Sequence, residues 1–121
     1  MARNVIPVQE ILKTGLAVGS TGSETVGNVA NGMQFANTDG RVILHVRNTS
    51  GAVVPVITKV LAAGTTGGPD GATVTYPTVS VPISSEMVIA FNAFAYNQTD
   101  GTIYLNLDSN GASLSFQALH F

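Results

Sequence analysis

The sequence contains no cysteine. A disulfide framework, a thiolate nucleophile and a cysteine-ligated zinc site are therefore excluded. Cysteine use is a usual marker of the redox compartment, so its absence leaves that compartment open. The 121 residues are enough for one domain with one hydrophobic core, and we expect a single fold.

Charge is also scarce. Only 10% of the residues are charged, against roughly 25% in a typical soluble domain. The surface must be built largely from Ser, Thr, Asn, Gln and Gly, which suits a protein that lies packed against other proteins. The basic residues do not cluster, so a positive footprint for phosphate is missing and no nucleic-acid partner is predicted. They are Arg3, Lys13, Arg41, Arg47 and Lys59.

Long hydrophobic runs are absent from the sequence. No stretch approaches the roughly 18 to 20 apolar residues that a membrane-spanning helix needs. The apolar N-terminal stretch is interrupted by Gln9 and Glu10, which makes it a poor signal peptide. We therefore expect no membrane partner and a protein that stays in the cytoplasm of the cell where it is made.

Motifs for catalysis and cofactor binding are missing as well. No serine stands in a Gly-x-Ser-x-Gly elbow, and no glycine-rich loop is followed by Lys and Ser or Thr. A zinc site needs three or four ligands, so His45 and His120 alone are a weak indication of metal binding. The sequence predicts no catalytic residue, no cofactor and no metal ligand. A glycosidase in which Glu24 and Glu86 meet across a cleft is a remote alternative.

Alternating apolar residues predict β-strands with one buried face. Three segments alternate clearly: "RVILHVR" from Arg41, "TIYLNLD" from Thr102 and "SLSFQAL" from Ser113. Further strands are predicted within 52–60, 72–81 and 86–96, with Pro55, Pro77 and Pro82 at strand ends or bulges. Turn residues separate these segments, including a glycine-rich surface loop at 64–71. The pattern predicts an all-β protein with antiparallel strands, a β-sandwich or jelly-roll-like fold, with a small barrel as the alternative.

Two stretches of the sequence resemble each other. "FANTDGRVILHV" at 35–46 and "YNQTDGTIYLNL" at 96–107 both place Thr-Asp-Gly before an alternating strand. Asp39-Gly40 and Asp100-Gly101 are predicted to be turns, because Asp caps its own backbone and Gly accepts positive φ. A calcium loop is the alternative, although neither Asp has a second acid within five residues. Two similar corners are favoured over a duplicated repeat.

The first thirty residues show no such alternation and are rich in small residues. We interpret residues 1–30 as an extended N-terminal arm with one strand at most, packed on the body or on a neighbouring subunit, and residues 31–121 as the sandwich body. The apolar residues of this arm are candidate contacts with a neighbouring subunit or another protein. They are Val5, Ile6, Ile11 and Leu12.

Three aromatic residues lie close together in the predicted strand at 86–96. A regular strand would place Phe94 and Tyr96 on one face and Phe91 on the other. Core packing is the favoured interpretation. The alternatives are a subunit interface through Phe94 and Tyr96, or a platform for sugar formed by these aromatic residues or by Tyr104.

The segment "NGMQFANTDGRVILHVRNTSGAVVPVIT" resembles small virion proteins of tailed bacteriophages, a group that includes capsid decoration, or cement, proteins. The later segment "FNAFAYNQTDGTIYLNLD" looks like a second segment of the same group, without the prolines that usually precede its Tyr-Asn pair. Together the segments span residues 31 to 108. The residues that carry the resemblance shape turns and strands: Asn31, Gly32, Phe35, Asp39, Gly40, Arg41, Asp100 and Gly101.

The resemblance implies a β-sandwich or jelly-roll protein on the outer surface of the virion. Many copies would bind the major capsid protein lattice and brace it, with each unit a homo-oligomer, most often a trimer. No catalytic residues come with the group. Another virion part, such as a tail or head-tail joining protein, and a carbohydrate-binding module are the alternatives.

Overall fold

A computed structural model describes residues 2–62 and 76–121, which form two β-sheets packed face to face. The strands are β1 (Asn4–Val5), β2 (Val8–Glu10), β3 (Thr25–Val26), β4 (Met33–Ala36), β5 (Val42–Asn48), β6 (Val56–Lys59), β7 (Thr78–Ser80), β8 (Glu86–Ala90), β9 (Thr102–Leu107) and β10 (Leu114–His120). The first sheet has the order β1-β4-β9-β6-β7 and the second has the order β2-β10-β5-β8, with β3 also paired to β10. The predicted all-β sandwich is confirmed, and the jelly-roll connectivity stays a prediction.

The core lies between the sheets and is built from the alternating residues. In β5, β9 and β10 the residues predicted to face inward are buried, apart from the half-buried Leu107 at the end of β9. These buried residues are Val42, Leu44, Val46, Ile103, Leu105, Leu114, Phe116 and Ala118. Strand periodicity therefore located about half of the hydrophobic core of the described residues.

Part of the outer face of the second sheet is also covered, which the alternation did not predict. His45 and Gln117 belong to the polar side of β5 and β10, yet both are buried. They lie beneath residues 17–24, which we call the covering segment. This segment contains a single 3-10 turn, Gly19–Thr21. The alternation places His45 on the more polar side of β5, and the covering segment buries it there.

Buried polar contacts hold the covering segment on the sheet. The Gln117 side-chain oxygen accepts a hydrogen bond from the Gly19 backbone N–H at 2.8 Å, and its amide nitrogen donates to the Ala17 carbonyl at 3.1 Å. Arg47 donates two hydrogen bonds to the Glu24 carboxylate, at 2.6 and 3.1 Å. Bidentate geometry of this kind fixes orientation as well as distance. The covering segment is thus joined to both central strands of the second sheet.

The N-terminal residues are part of both sheets. β1 pairs parallel to β4, and β2 pairs parallel to β10, so the sheets are mixed and the prediction of purely antiparallel pairing is wrong here. The extended arm is not confirmed, because residues assigned to the arm and to the body share the same ladders. The physical reason is that the unpaired edges of β4 and β10 supply hydrogen-bond partners for the short apolar stretch at 4–10.

The predicted strand at 86–96 divides into two elements. β8 ends at Ala90, and a short helix, α1 (Ala93–Tyr96), follows. The Asn92 side chain accepts a hydrogen bond from the Phe94 N–H at 2.9 Å and so caps the first turn of α1. The predicted loop at 64–71, and the predicted strand at 72–81 before Tyr76, lie outside the described residues.

Candidate functional site

The two Asp-Gly turns have the same local geometry. The Asp39 side-chain oxygen accepts a hydrogen bond from the Arg41 N–H at 3.0 Å, and Asp100 accepts one from the Thr102 N–H at 3.1 Å. Gly40 and Gly101 have φ values of 72° and 82°, a region that glycine occupies without steric cost. β5 and β9 begin directly afterwards. The prediction that both stretches are turns that start a strand is confirmed.

These corners are also joined to each other. The Asn97 side chain donates to the Asn37 carbonyl at 2.7 Å, and the Asn37 side chain donates to the Asn97 side-chain oxygen at 3.0 Å. A methyl group on Gly101 would lie 2.8 Å from the Thr38 methyl carbon, so the corners are in close contact. The repeated sequence therefore builds one joint between the sheets at this end of the sandwich, which we call the Asp-Gly end.

The cation alternative finds no support in the geometry. One oxygen of each Asp, Oδ1, already accepts a backbone hydrogen bond within the turn. The described residues contain no group of three His, Cys, Asp or Glu residues able to hold a metal ion. Hydrogen bonds from the Thr102 hydroxyl and backbone lower the pKa of the Asp100 carboxyl. That stabilisation of the charged form is explained without a cation.

His120 connects three parts of the chain at the Asp-Gly end. Its Nδ1 lies 2.6 Å from the Glu10 carboxylate, and its Nε2 lies 2.6 Å from the Asp39 carboxylate. The hydrogen bonds to Asp39 and then to Glu10 raise the pKa of His120, and the same contact with His120 lowers the pKa of Asp39. Both ring nitrogens can donate only when the imidazole is protonated. The two carboxylates lie on opposite sides of the ring, so they do not converge on one ion.

Exposed apolar side chains surround this polar bridge. The Ile11 N–H donates to the His120 carbonyl at 2.9 Å, which places Ile11 and Leu12 beside it. Phe121 lies beneath the Arg41 guanidinium, at 5.5 Å from its ring centroid. All three apolar residues are exposed. The Asp-Gly end thus presents apolar side chains around a small charged centre.

Phe94 is the most exposed apolar residue of this end. Its side chain is 94% exposed. Its neighbour Ala93 lies against the Asp39-Gly40 turn, since a methyl group on Gly40 would be 3.5 Å from the Ala93 Cβ. We define the end surface as Ile11, Leu12, Phe94 and Phe121, together with Glu10, Asp39, Arg41 and His120.

The structure separates the residues predicted to form an interface. Ile11, Leu12 and Phe94 lie at the end surface, whereas Val5 is exposed on β1, at the edge of the first sheet. The prediction for Ile6 is wrong, because its side chain is 1% exposed in the core of its own chain. Tyr96 is half-buried, packed edge-on against Phe91. The three predicted interface residues at the end surface come from two segments 82 positions apart, counted from Leu12 to Phe94.

The aromatic residues considered for sugar stacking are mostly engaged within the chain. Phe91 is buried between Phe35 and Tyr96, with ring centroids at 5.5 and 5.6 Å. Tyr104 lies beneath the Arg3 guanidinium, which is 4.5 Å from its ring centroid. Phe35 and Tyr96, which precede the two Thr-Asp-Gly turns, therefore pack around the same core residue.

Some residues of the end surface were missed by sequence reasoning. Phe121 carried no motif, and Glu10 was read only as an interruption of an apolar run. Their role depends on the parallel pairing of β2 with β10, which places Glu10 opposite His120. No local signal encodes that long-range pairing.

No family model, curated protein or solved structure matches this chain. In the described part of the chain, no helix is long and apolar enough to cross a membrane. The end surface and the fold are therefore the observations on which a function must be argued.

Proposed function

We propose that this chain is a non-enzymatic structural protein of a tailed-bacteriophage virion, a decoration protein that binds the outside of the major capsid protein lattice and stabilises the head. The sequence resemblance over residues 31 to 108 supports this class of protein. A β-sandwich is the fold that the resemblance implies. The low charge of the sequence suits a protein whose role is contact area.

The observation that carries the proposal is the end surface. Four exposed apolar side chains lie there around a compact polar centre. Interface hot spots are typically aromatic or arginine residues surrounded by groups that exclude water. Phe94, Phe121 and Arg41 have this character, so the end surface is proposed as the contact with the capsid.

The mechanism of stabilisation would be mass action. A ligand that binds only the assembled shell stabilises it by RT ln(1 + [L]/Kd), which is about 2.7 kcal/mol per site at a hundredfold excess over Kd. Many copies on a lattice act in parallel, so a modest affinity at each site is sufficient.

Point substitutions test the end surface better than truncation. Removing residues 1–30 would delete the core residue Ile6 and strands β1, β2 and β3, so loss of binding would report unfolding. Phe94→Ser removes one exposed ring, and Ile83→Ser is the matched control at the opposite end of the sandwich, where Ser84 bonds to Ser50. Co-sedimentation with shells of the same phage should show about tenfold weaker binding for Phe94→Ser and unchanged binding for Ile83→Ser.

Two outcomes would contradict the proposal at different levels. Equal binding of both variants would show that the end surface is not the contact. It would not contradict binding to the capsid through another surface. Labelled protein found only at one vertex or on the tail, when imaged on particles, would favour the tail or head-tail joining alternative.

A further inference from the structure

β8 is an edge strand with an unpaired side. The Asn48 N–H donates to the Ser85 carbonyl at 2.9 Å, and this bond fixes which facing pairs of the β5–β8 ladder are hydrogen-bonded. In an antiparallel pair, alternate residues turn their backbone groups toward the partner strand. The backbone N–H and C=O groups of Met87 and Ile89 therefore point toward β5. Those of Glu86, Val88 and Ala90 point outward, away from the sheet. Among the described residues, none pairs with that outer side.

Other edges of the described sheets carry protection that β8 lacks. β1 and β3 contain two residues each, and Pro7 separates β1 from β2. β7 contains three residues between Pro77 and Pro82. Short length and proline are the usual means of blocking an edge, as is lysine. β8 has five residues and contains neither proline nor lysine.

The side chains along this edge leave room for a partner strand. Glu86, Val88 and Ala90 are all exposed, and Val88 is 60% exposed. The Glu86 carboxylate lies 3.1 Å from His45 Nε2, so it points back onto its own sheet. The centre of the edge is therefore apolar and its one acidic group is held aside.

We propose that β8 pairs antiparallel with β8 of a second copy of this chain, about a two-fold axis through Val88. In this register the two Val88 residues face each other, and Glu86 of each copy faces Ala90 of the other. Each facing pair exchanges two backbone hydrogen bonds. The like charges of the two Glu86 residues are kept apart, so the edge is complementary to itself.

This pairing extends the second sheet across two copies and gives a dimer. The pairing uses no residue of the end surface, so its test is independent of whether the chain binds a capsid. It also differs from the trimer that the sequence resemblance implies. A dimer would have a mass of 2 × 12.5 kDa, which is 25 kDa.

A single introduced cysteine tests the register directly. Because the chain has no cysteine, the sulfur of Val88→Cys can be bridged only to a second copy. Facing residues of a hydrogen-bonded pair have Cα atoms about 5.5 Å apart, within the range of a disulfide. Val26→Cys on β3 is the matched control, since Val26 is 59% exposed. Mild oxidation should cross-link Val88→Cys to a dimer and leave Val26→Cys largely monomeric. Equal cross-linking of the two variants would contradict the register.

A charge exchange at the same position provides the second test. Sedimentation equilibrium should give a dimer for the wild type and monomers for Val88→Lys and for Val88→Glu, because like charges then face each other. Mixing the two variants should restore the dimer, which also demonstrates that each variant is folded. A monomeric wild type, or a wild-type trimer whose mass Val88→Lys leaves unchanged, would overturn the proposal.

Discussion

Gln117 joins the covering segment to the second sheet, and replacing it by leucine should destabilise the protein. The side chain is fully buried and reaches the Gly19 N–H, the Ala17 carbonyl and, at 3.3 Å, the Gln9 side chain. Leucine has a similar size but leaves the first two backbone groups without their partner. A buried group left without a partner costs about 1 to 3 kcal/mol.

The expected loss of unfolding free energy for Gln117→Leu is about 2 to 3 kcal/mol, since the covering segment can open and rehydrate part of these groups. For a domain of this size, that change lowers Tm by roughly 10 °C. Urea denaturation measures the free energy, and hydrogen exchange locates the change. Amides of residues 17–24 should exchange faster, whereas those of β4 and β9 should be less affected.

Gln34→Leu is the matched control for this prediction. The Gln34 side chain makes no hydrogen bond among the described residues, and its strand belongs to the first sheet. Its substitution should change stability by less than about 0.5 kcal/mol. If Gln117→Leu were as stable as Gln34→Leu, with unchanged exchange at 17–24, the account of the covering segment would be refuted.

Three further predictions concern the Asp-Gly end. In urea denaturation, Gly101→Ala should lower the free energy of unfolding by about 1 to 3 kcal/mol more than Gly15→Ala does. Both glycines have positive φ, but of the two only Gly101 has a neighbour in close contact. Equal losses would contradict the joint. Asn97→Ala should lower the free energy of unfolding by about 1 to 3 kcal/mol, since it removes the hydrogen bonds to the buried Asn37. Calorimetry measures this loss, and an unchanged stability would contradict the joint. The raised pKa of His120 predicts stabilisation that is fully present below the unfolded pKa and lost as pH rises through the folded pKa. The difference in unfolding free energy between wild type and His120→Gln should therefore shrink at alkaline pH. A difference that grows with pH would contradict the proposed role of protonated His120 between Glu10 and Asp39.

The sequence was informative where a pattern is local. Alternation placed Leu44, Leu105 and Phe116 in the core because strand side chains repeat every two residues. The Asp-Gly turns followed from the positive φ that glycine accepts. These features depend only on near neighbours in the chain.

Long-range pairing explains what the sequence did not reveal. Gln117 and His45 look like exposed strand residues until the covering segment is placed over them. Ile6 looks like an arm residue until β1 joins β4 and directs it into the core. The end of β8 also depended on a local detail, the Asn92 cap, which competes with strand propensity at the following residues.

The most direct test of the central claim is co-sedimentation of the unmodified protein with empty shells assembled from the major capsid protein of the same phage. We expect the protein to pellet with the shells and to saturate at a fixed number of copies per lattice unit. Protein that remains in the supernatant at every concentration, while the shells pellet intact, would contradict it.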